Sequence, residues 1–429
     1  MRNRRFVIIL SLIAAVTTLV GWRQGWHASL FHRAPLVTRD LIAATIGTAI
    51  DSNEYPSVVE LQVGDELKSA AVEYSLDHHA QADMEKLFKQ YRPDYGSVVA
   101  MDATSGRVLA MVNFVKNERA REELGNLALR ATFPSASVFK VVTAAAAIDQ
   151  KRALPETVIP FNGASHTLYR KNVIHTQMNR WTRHMTLREA FAKSVNTVFG
   201  KLGLFYVGPD WLQEYAKRFG FNQSIPSDLP MRKGRSTIEQ ADPWSLVQAA
   251  SGYTLNNTMS PLHGALIAAA VVNDGVMMQP YVVDSLKALS GELLYRPTPQ
   301  VASVIMDATA SAKLRALMRE TVLRGTSRRA YRSLIRNAKF DEIEFGGKTG
   351  SLTGEDPKGK CDWYVGYGSY RGQKIAVSVL TVHKAYWTVK SAYVARKFLE
   401  DYFSRDEVRA PAGQPTDYVR LHAETSNYQ

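Results

Sequence analysis

The stretch Phe133-Pro134-Ser135-Ala136-Ser137-Val138-Phe139-Lys140 decides the fold, and an alanine-rich segment follows it. Proline suits the first turn of a helix and alanine continues one, so the stretch predicts a buried helix that begins near Pro134. Ser137 and Lys140 are three positions apart and would share one helix face. A serine at the positive end of a helix and an amine one turn later suit a nucleophile and its base, provided that the amine is neutral.

The Ser-x-x-Lys pattern by itself is weak evidence for such a site. About one occurrence is expected by chance in a chain of this composition. A helix start that carries a surface lysine would also explain it. The pattern occurs once in the chain, so its interpretation depends on the rest of the sequence.

The composition allows a large core and argues against several kinds of site. The chain has 429 residues, of which 45% are hydrophobic, and a formal net charge of +13. The basic residues are scattered without a nucleic-acid-binding motif, so we expect no nucleic-acid partner; an anionic membrane or envelope polymer would explain the charge equally well. The single cysteine, Cys361, excludes an intramolecular disulfide and is expected to be a small buried hydrophobe. The histidines show no paired-ligand spacing, and we predict no metal and no cofactor.

Residues 1–26 predict an amino-terminal membrane anchor. Arginines at positions 2, 4 and 5 precede an uncharged, mostly apolar run over residues 6–22, and Trp22 and Trp26 would lie at the far interface. Residues 23–33 contain no convincing small-x-small cleavage site. We therefore expect an uncleaved anchor, with the amino terminus cytoplasmic and the rest of the chain outside. The alternative is a buried amino-terminal helix of a cytosolic domain.

The first part of the chain contains one clear β-hairpin. It is predicted by two apolar runs, residues 96–102 and 107–114, on either side of a polar turn with a glycine. Residues 27–75 are expected to form a short linker segment with one possible helix at 40–50. A polar helix over residues 80–90 leads into the hairpin.

After the opening stretch the chain is expected to stay helical for a long way. Thr186-Leu187-Arg188-Glu189 is a capping box that opens a short helix, and residues 211–219 are another helical pattern. Ser260-Pro261 opens an apolar, buried helix that ends at Gly275.

Strands return near the end of the chain. Residues 345–352, 363–370 and 374–383 are strand-like, the last two are joined by a turn at Arg371-Gly372-Gln373, and residues 352–360 are expected to form a loop. A final helix over 388–403 precedes residues 405–429, which are expected to be disordered. Strands at both ends of a helical block predict an α+β fold, with one antiparallel sheet built from both chain ends and a helical subdomain inserted.

Two further patterns each occur once: Ser194-Val195-Asn196, after the capping-box helix, and Lys348-Thr349-Gly350-Ser351, on the first late strand. The second is not a phosphate-binding P-loop, because Glu342 stands where a glycine is required and no helix follows. On a strand edge its cation, hydroxyls and glycine suit an extended peptide, whose terminal carboxylate would lie near Lys348 and Thr349. An ordinary strand turn would explain Lys-Thr-Gly alone.

Together, the three motifs resemble those of penicillin-binding transpeptidases: Ser137-Val138-Phe139-Lys140, Ser194-Val195-Asn196 and Lys348-Thr349-Gly350, in this order and 57 and 154 residues apart. The flanks Leu323-Arg324-Gly325-Thr326 and Cys361-Asp362-Trp363 also match. The similarity runs from residue 76 to 403 and implies a transpeptidase domain at 76–404 with the fold shared by serine β-lactamases. The chain departs from the family at Pro134-Ser135-Ala136, at Ala250-Ser251-Gly252-Tyr253 and at Ser351, which affects the expected substrate preference more than the chemistry.

The resemblance implies a serine acyl-transfer mechanism. Ser137 would attack a peptidoglycan stem peptide that ends in D-Ala-D-Ala. Lys140, neutral because of burial and the neighbouring Lys348, would accept the proton of the serine. Ser194 would relay a proton to the leaving D-Ala. An amine of a neighbouring stem peptide would then resolve the acyl-enzyme and form a crosslink, and β-lactams would acylate the same serine.

The resemblance also implies how the substrate binds. The Asn196 amide would hold the peptide backbone, and Lys348, Thr349 and Ser351 would line the strand edge. The backbone N–H groups of Ser137 and Ser351 would form the oxyanion hole.

Three other activities share parts of this pattern. A D,D-carboxypeptidase, in which water replaces the acceptor amine, stays open. A serine β-lactamase is disfavoured by chain length and by Asn196, and a penicillin sensor by the five residues that precede the apolar run. The resemblance further implies a single-pass protein of the cytoplasmic membrane with a periplasmic or extracytoplasmic catalytic domain, and a membrane glycosyltransferase or polymerase as a possible partner.

Overall fold

The computed structural model describes residues 37–174, 177–238 and 242–405. The predicted membrane anchor and residues 406–429 of the predicted tail lie outside these ranges. Within them, no helix combines the length and the hydropathy needed to cross a bilayer.

The elements follow one another in this order. Up to the nucleophile stretch they are α1 (Arg39–Asp51), β1 (Val58–Val63), β2 (Glu66–Tyr74), α2 (His78–Tyr91), β3 (Tyr95–Asp102), β4 (Val108–Val115), α3 (Glu118–Leu124) and β5 (Phe133–Pro134). The middle of the chain contains α4 (Lys140–Asp149), β6 (Val158–Phe161), α5 (Arg170–Val173), β7 (Arg183–Thr186), α6 (Leu187–Ala192), α7 (Asn196–Lys201), α8 (Pro209–Arg218), α9 (Pro243–Ser251), β8 (Thr258–Met259) and α10 (Pro261–Val272). The last part contains β9 (Val276–Met278), β10 (Val283–Ala288), β11 (Leu293–Tyr295), β12 (Val301–Val304), α11 (Ala308–Leu323), α12 (Arg328–Ile335), β13 (Glu344–Glu355), β14 (Lys358–Tyr370), β15 (Gln373–His383) and α13 (Ser391–Ser404).

The central sheet has five antiparallel strands in the order β13-β14-β15-β3-β4. The two chain ends meet where β15 pairs with β3, for example at Val379 opposite Val98. Both residues are β-branched and fully buried, as expected for a strand covered on two faces. The predicted α+β class and the antiparallel sheet built from both chain ends are confirmed. The sheet leaves β13, which carries Lys-Thr-Gly, at its edge.

Helices cover the sheet on both faces. The buried helix α10 packs against β14, β15 and β3 on one face, while α13 packs on β14 and β15 from the other, beside α2. Ser260 caps α10 by accepting a hydrogen bond from the His263 N–H, as the sequence predicted. A glycine permits the close approach of α10, because a Cβ at Gly264 would lie 2.4 Å from the Ser378 hydroxyl oxygen. Any larger residue at position 264 would push the helix away from the sheet.

The expected linker segment, residues 27–75, contains two strands in its described part that the sequence analysis did not predict. The strands β1 and β2 form a hairpin that joins β10 and β11 in a four-stranded sheet. The hairpin turn is Gly64-Asp65, with Gly64 at φ 63°. A Gly-Asp turn between two strand-like runs is a known hairpin signal and could have predicted this one. The helix predicted at 40–50 is present as α1.

Three further expectations need correction. The long helical block contains the hairpin β6–β7. Residues 352–360 are not a loop, because β13 and β14 extend through them to a tight turn at Asp356-Pro357. Pro134 does not open the helix: it lies in β5, which pairs with β8, and one 3-10 turn over Ala136–Phe139 leads into α4. The displaced helix start depends on pairing between residues far apart in sequence, such as Phe133 with Met259, whereas the longer strands pair across a short turn.

Candidate active site

The nucleophile lies in a tight turn that is held by hydrogen bonds from two distant segments. Ser137 belongs to the 3-10 turn between β5 and α4. The Ser135 N–H donates to the Asn257 carbonyl at 2.7 Å, and the Trp363 indole N–H donates to the Pro134 carbonyl at 2.8 Å. Ala136 adopts a positive φ of 48°, a conformation that costs free energy for a residue other than glycine. These contacts fix the position of the Ser137 hydroxyl at the start of the helix.

Lys140 lies directly behind the serine. Its Nζ is 2.7 Å from Ser137 Oγ, 2.8 Å from Asn196 Oδ1 and 2.5 Å from the Ser251 carbonyl oxygen. Lys140 is fully buried, and no carboxylate among the described residues forms a salt bridge with it. Burial first, and then the charge of nearby Lys348, lowers the pKa of Lys140 well below its ordinary value.

When Lys140 is neutral, its hydrogen-bond partners determine where its lone pair points. A neutral amine has two N–H donors and one acceptor pair, whereas the oxygens of Asn196 and Ser251 can only accept. Both donors are therefore used on these two oxygens. The lone pair then faces Ser137 Oγ, so that the serine hydroxyl can donate to it, which is the arrangement of a nucleophile and its base.

A second lysine holds the next hydroxyl. Lys348, on β13, donates to Ser194 Oγ and to the Thr349 carbonyl, each at 2.9 Å. It is fully buried, and burial lowers its pKa to about 7. Ser194 lies between α6 and α7 with a φ of 56°, a strained conformation of the kind that clusters at functional sites. The predicted capping box, formed by Thr186 and Glu189, is present at the start of α6.

Asn196 connects Lys140 to the segment that contains His166. Its Oδ1 accepts from Lys140, and its Nδ2 donates to the His166 carbonyl at 2.9 Å. An amide NH₂ has two donors, and Asn196 is one of the residues that line the cleft. The direct role of Asn196 is thus to orient Lys140, and its predicted contact with a peptide backbone stays a prediction.

The edge of β13 forms another side of the cleft. Thr349 and Ser351 line the cleft, and Thr349 Oγ1 lies 2.5 Å from Thr326 Oγ1 in the segment before α12. Gly350 between them lies against the nucleophile turn, where a Cβ would be 3.3 Å from that of Ala136. Five of the predicted residues therefore line one cleft of about 990 Å³: Ser137, Ser194, Asn196, Thr349 and Ser351. Lys140 and Lys348 are buried behind it, in contact with Ser137 and Ser194. Among the described residues, no group of three or more His, Cys, Asp or Glu side chains is arranged to hold a metal ion.

A penicillin-binding protein transpeptidase domain model matches residues 96–400. The chain belongs to this family. The resemblance stated from the motifs is thereby confirmed, and the transpeptidase domain contains the three motifs that surround the cleft.

Curated relatives of this transpeptidase domain include the peptidoglycan D,D-transpeptidase PbpA of Mycolicibacterium smegmatis, which is 29% identical over 318 residues. The match covers 67% of this chain and 62% of that protein. The PbpA of Mycobacterium tuberculosis is 28% identical over 335 residues, with 69% of this chain and 63% of that protein covered. The chain therefore spans somewhat less than two thirds of the length of these relatives.

Solved structures have the same transpeptidase fold. The D,D-transpeptidase domain of a peptidoglycan glycosyltransferase from Eggerthella lenta superposes with a TM-score of 0.64 at 25% identity, covering 78% of this chain and 83% of that chain. Penicillin-binding protein A of M. tuberculosis, solved as an imipenem acyl-enzyme complex, gives a TM-score of 0.63 at 25% identity, covering 78% and 79% of the two chains.

Several residues of this transpeptidase site were not assigned a role from the sequence. Ser251 supplies a carbonyl to Lys140, and Thr326 contacts Thr349. Gly252 has a φ of 69°, and a Cβ there would lie 1.9 Å from the Ala136 carbonyl oxygen. All three lie in segments that the sequence analysis noted as matching the family or departing from it. Those matches and departures were the features of the sequence that could have pointed to these residues. Their contacts could not be derived because they join segments that are distant in the chain.

Proposed function

We propose that this protein is a peptidoglycan D,D-transpeptidase that works through a serine acyl-enzyme and is acylated by penicillins. The observation that carries the proposal is the contact of Ser137 Oγ with Lys140 Nζ at 2.7 Å, in a site where burial and a second lysine lower the pKa of the amine. Membership of the transpeptidase family and the printed activity of the PbpA relatives support it.

In the acylation step, Ser137 Oγ attacks the carbonyl carbon of the penultimate D-Ala while its proton passes to Lys140. The oxyanion that forms accepts hydrogen bonds from the backbone N–H groups of Ser137 and Ser351, and an interaction of this kind contributes about 10²–10³ in rate. The tetrahedral intermediate collapses when the C–N bond breaks. Ser194 gives its proton to the leaving amine, and the proton on Lys140 can return to Ser194.

In the second step, the amine of another stem peptide attacks the ester carbonyl and forms a new amide bond. Lys140 takes the proton of the amine, and Ser137 recovers its own proton as the C–O bond breaks. Lys348 supports both steps by holding Ser194 with a donated hydrogen bond. Asn196, Thr349 and Ser351 guide the extended peptide along the edge of β13.

A fluorescent penicillin tests the nucleophile. We expect it to label the wild-type protein covalently and Ser137→Ala not at all. Ser135→Ala is a matched control, since Ser135 is buried two residues away and its hydroxyl has no hydrogen-bond partner within the described structure. Labelling that survives in Ser137→Ala would refute the assignment.

The release rate of the label separates the other activities. A transpeptidase stays acylated, whereas a β-lactamase releases hydrolysed drug quickly. Product analysis with a D-Ala-D-Ala peptide, with and without an acceptor amine, distinguishes crosslinking from carboxypeptidase activity. Crosslinked product only in the presence of the amine is the expected result.

The proposal extends to the location of the protein. The arginines and apolar run of residues 1–26 support a single-pass anchor in the cytoplasmic membrane, with the catalytic domain on the outer, periplasmic side. A membrane glycosyltransferase that makes the glycan strands is the proposed partner. Fractionation, and protease accessibility of the domain in spheroplasts, test the location.

A further inference from the structure

The active-site cleft continues past the catalytic side chains into a region of positive charge. Basic residues of the lining that are not in the three motifs are Arg329, Lys360, Lys390 and Arg396. Among the described lining residues the one carboxylate is Asp362. It accepts from the Ser391 N–H at 2.8 Å and lies 3.7 Å from Lys390 Nζ, so it is already engaged. Positively charged side chains therefore outnumber carboxylates in this part of the cleft lining.

Two of these cations lie on helices that are linked to the peptide-binding edge through other residues. Thr326, which contacts Thr349, lies three residues before Arg329 at the start of α12. On the other side, Ser351 pairs with Asp362 across β13 and β14, and the Asp362 carbonyl accepts from the Ser391 hydroxyl at 2.6 Å. Arg396 follows five residues later on α13, about 7.5 Å along that helix.

Arg396 has an unused donor. Its side chain is 9% exposed and forms an ion pair with Glu400, but its Nε has no hydrogen-bond partner within the described structure. The guanidinium carbon lies 5.0 Å from the centre of the Tyr393 ring. The hydroxyls of Tyr91 and Tyr393 are 3.3 Å apart in the same part of the cleft lining. The Nε atom itself is buried, but Arg396 lines the cleft beside these hydroxyls, where its positive charge favours an anionic ligand.

Arg329 faces the same space from α12, which packs against α13. It is exposed and forms no salt bridge with any residue in the described ranges. Guanidinium groups match the planar geometry of carboxylates, with two parallel hydrogen bonds, better than any other side chain. Arg328, its exposed neighbour, does not line the cleft and provides an internal comparison.

We propose that Arg329 and Arg396 form a subsite for a side-chain carboxylate of the peptide substrate, separate from the terminal carboxylate expected near Lys348 and Thr349. The proposal rests on the proposed function, because it needs a peptide bound along β13. It makes the enzyme selective for peptides in which a residue upstream of D-Ala-D-Ala carries a free acid.

Three synthetic peptides test the subsite. Each ends in D-Ala-D-Ala. The preceding residue carries a side chain of the same length in all three peptides, which ends in a carboxylate in the first, the corresponding amide in the second and an amine in the third. The measurement is the concentration of each peptide that halves the rate of penicillin labelling of Ser137. In the wild type the acid should compete about tenfold better than the amide, the effect of one charge-assisted contact.

The variants assign this preference to named residues. Arg329→Gln should reduce the acid-to-amide ratio to about twofold, while Arg328→Gln should keep it near tenfold. Arg396→Lys keeps the positive charge next to Glu400 but loses the planar guanidinium group that can donate two parallel hydrogen bonds, so it should also lower the ratio. Thermal unfolding checks that this variant folds. Equal competition by acid and amide in the wild type, or the same ratio in both Arg329→Gln and Arg328→Gln, overturns the subsite while leaving labelling intact. Absence of labelling in the wild type overturns the proposed function, and the subsite with it.

Discussion

Replacing Lys348 by methionine should stabilise the protein at neutral pH although it removes a residue of the site. Lys348 is fully buried, and burial lowers its pKa from 10.5 to about 7. In the unfolded chain the amine keeps its proton up to its ordinary pKa. The unfolded state therefore binds more protons than the folded state between about pH 7 and 10.5, and Lys348 makes the free energy of unfolding rise with pH across this window.

The size of the stability change follows from the difference between the pKa values of Lys348 in the folded and unfolded states. At about 1.4 kcal/mol per pKa unit, the penalty that Lys348 imposes at pH 7 is on the order of 4 kcal/mol. Methionine loses the hydrogen bonds to Ser194 and Thr349, which contribute roughly 1 kcal/mol each. We expect Lys348→Met to be more stable than the wild type by about 2 kcal/mol at pH 7. Near pH 10.5 the penalty has almost vanished, so the difference should change sign.

Urea unfolding followed by fluorescence at several pH values between 7 and 10.5, with refolding checked, measures this difference. Lys358→Met is the control, because Lys358 is exposed at the start of β14 and its replacement removes a positive charge without emptying a buried site. A variant less stable than the wild type at pH 7, or a stability difference independent of pH, would show that Lys348 is not held neutral by burial.

Two other substitutions test the site itself. Gly252→Ala should slow penicillin acylation of Ser137 about 100-fold, because its Cβ would displace the nucleophile turn at Ala136; Gly372→Ala, with a similar positive φ but nothing within 4 Å of the added carbon, should acylate at the wild-type rate. Equal rates in both variants would mean that the Gly252 contact does not hold the turn. Lys348→Gln should move the acidic limb of the acylation pH profile to higher pH, because removing the neighbouring charge raises the pKa of Lys140. An unshifted limb would exclude coupling between the two lysines.

Local patterns in the sequence were enough to predict the elements that stabilise themselves. The capping box at Thr186 and the serine cap of α10 involve residues within one helical turn, so their spacing alone specifies them. The β3–β4 and β14–β15 hairpins also join neighbours in the chain. The strand segments β1 and β2, by contrast, are largely exposed and weakly patterned, and they form a sheet because β10 pairs with β2.

The sequence by itself determined the chemistry that is possible here: a serine with a lysine one turn away, a second serine with an asparagine, and a lysine-threonine-glycine edge, in the order typical of the transpeptidase family. The tertiary structure alone decided that the pKa of Lys140 is lowered and that its Nζ lies against Ser137 Oγ. A pKa depends on burial and on nearby charges, and the charge that adds to burial here is that of Lys348, from a distant part of the chain. The hydrogen-bond partners Ser251 and Asn196 are also distant in sequence. The same holds for Arg329 and Arg396, which no local pattern singles out and which share a cleft only because α12 packs against α13.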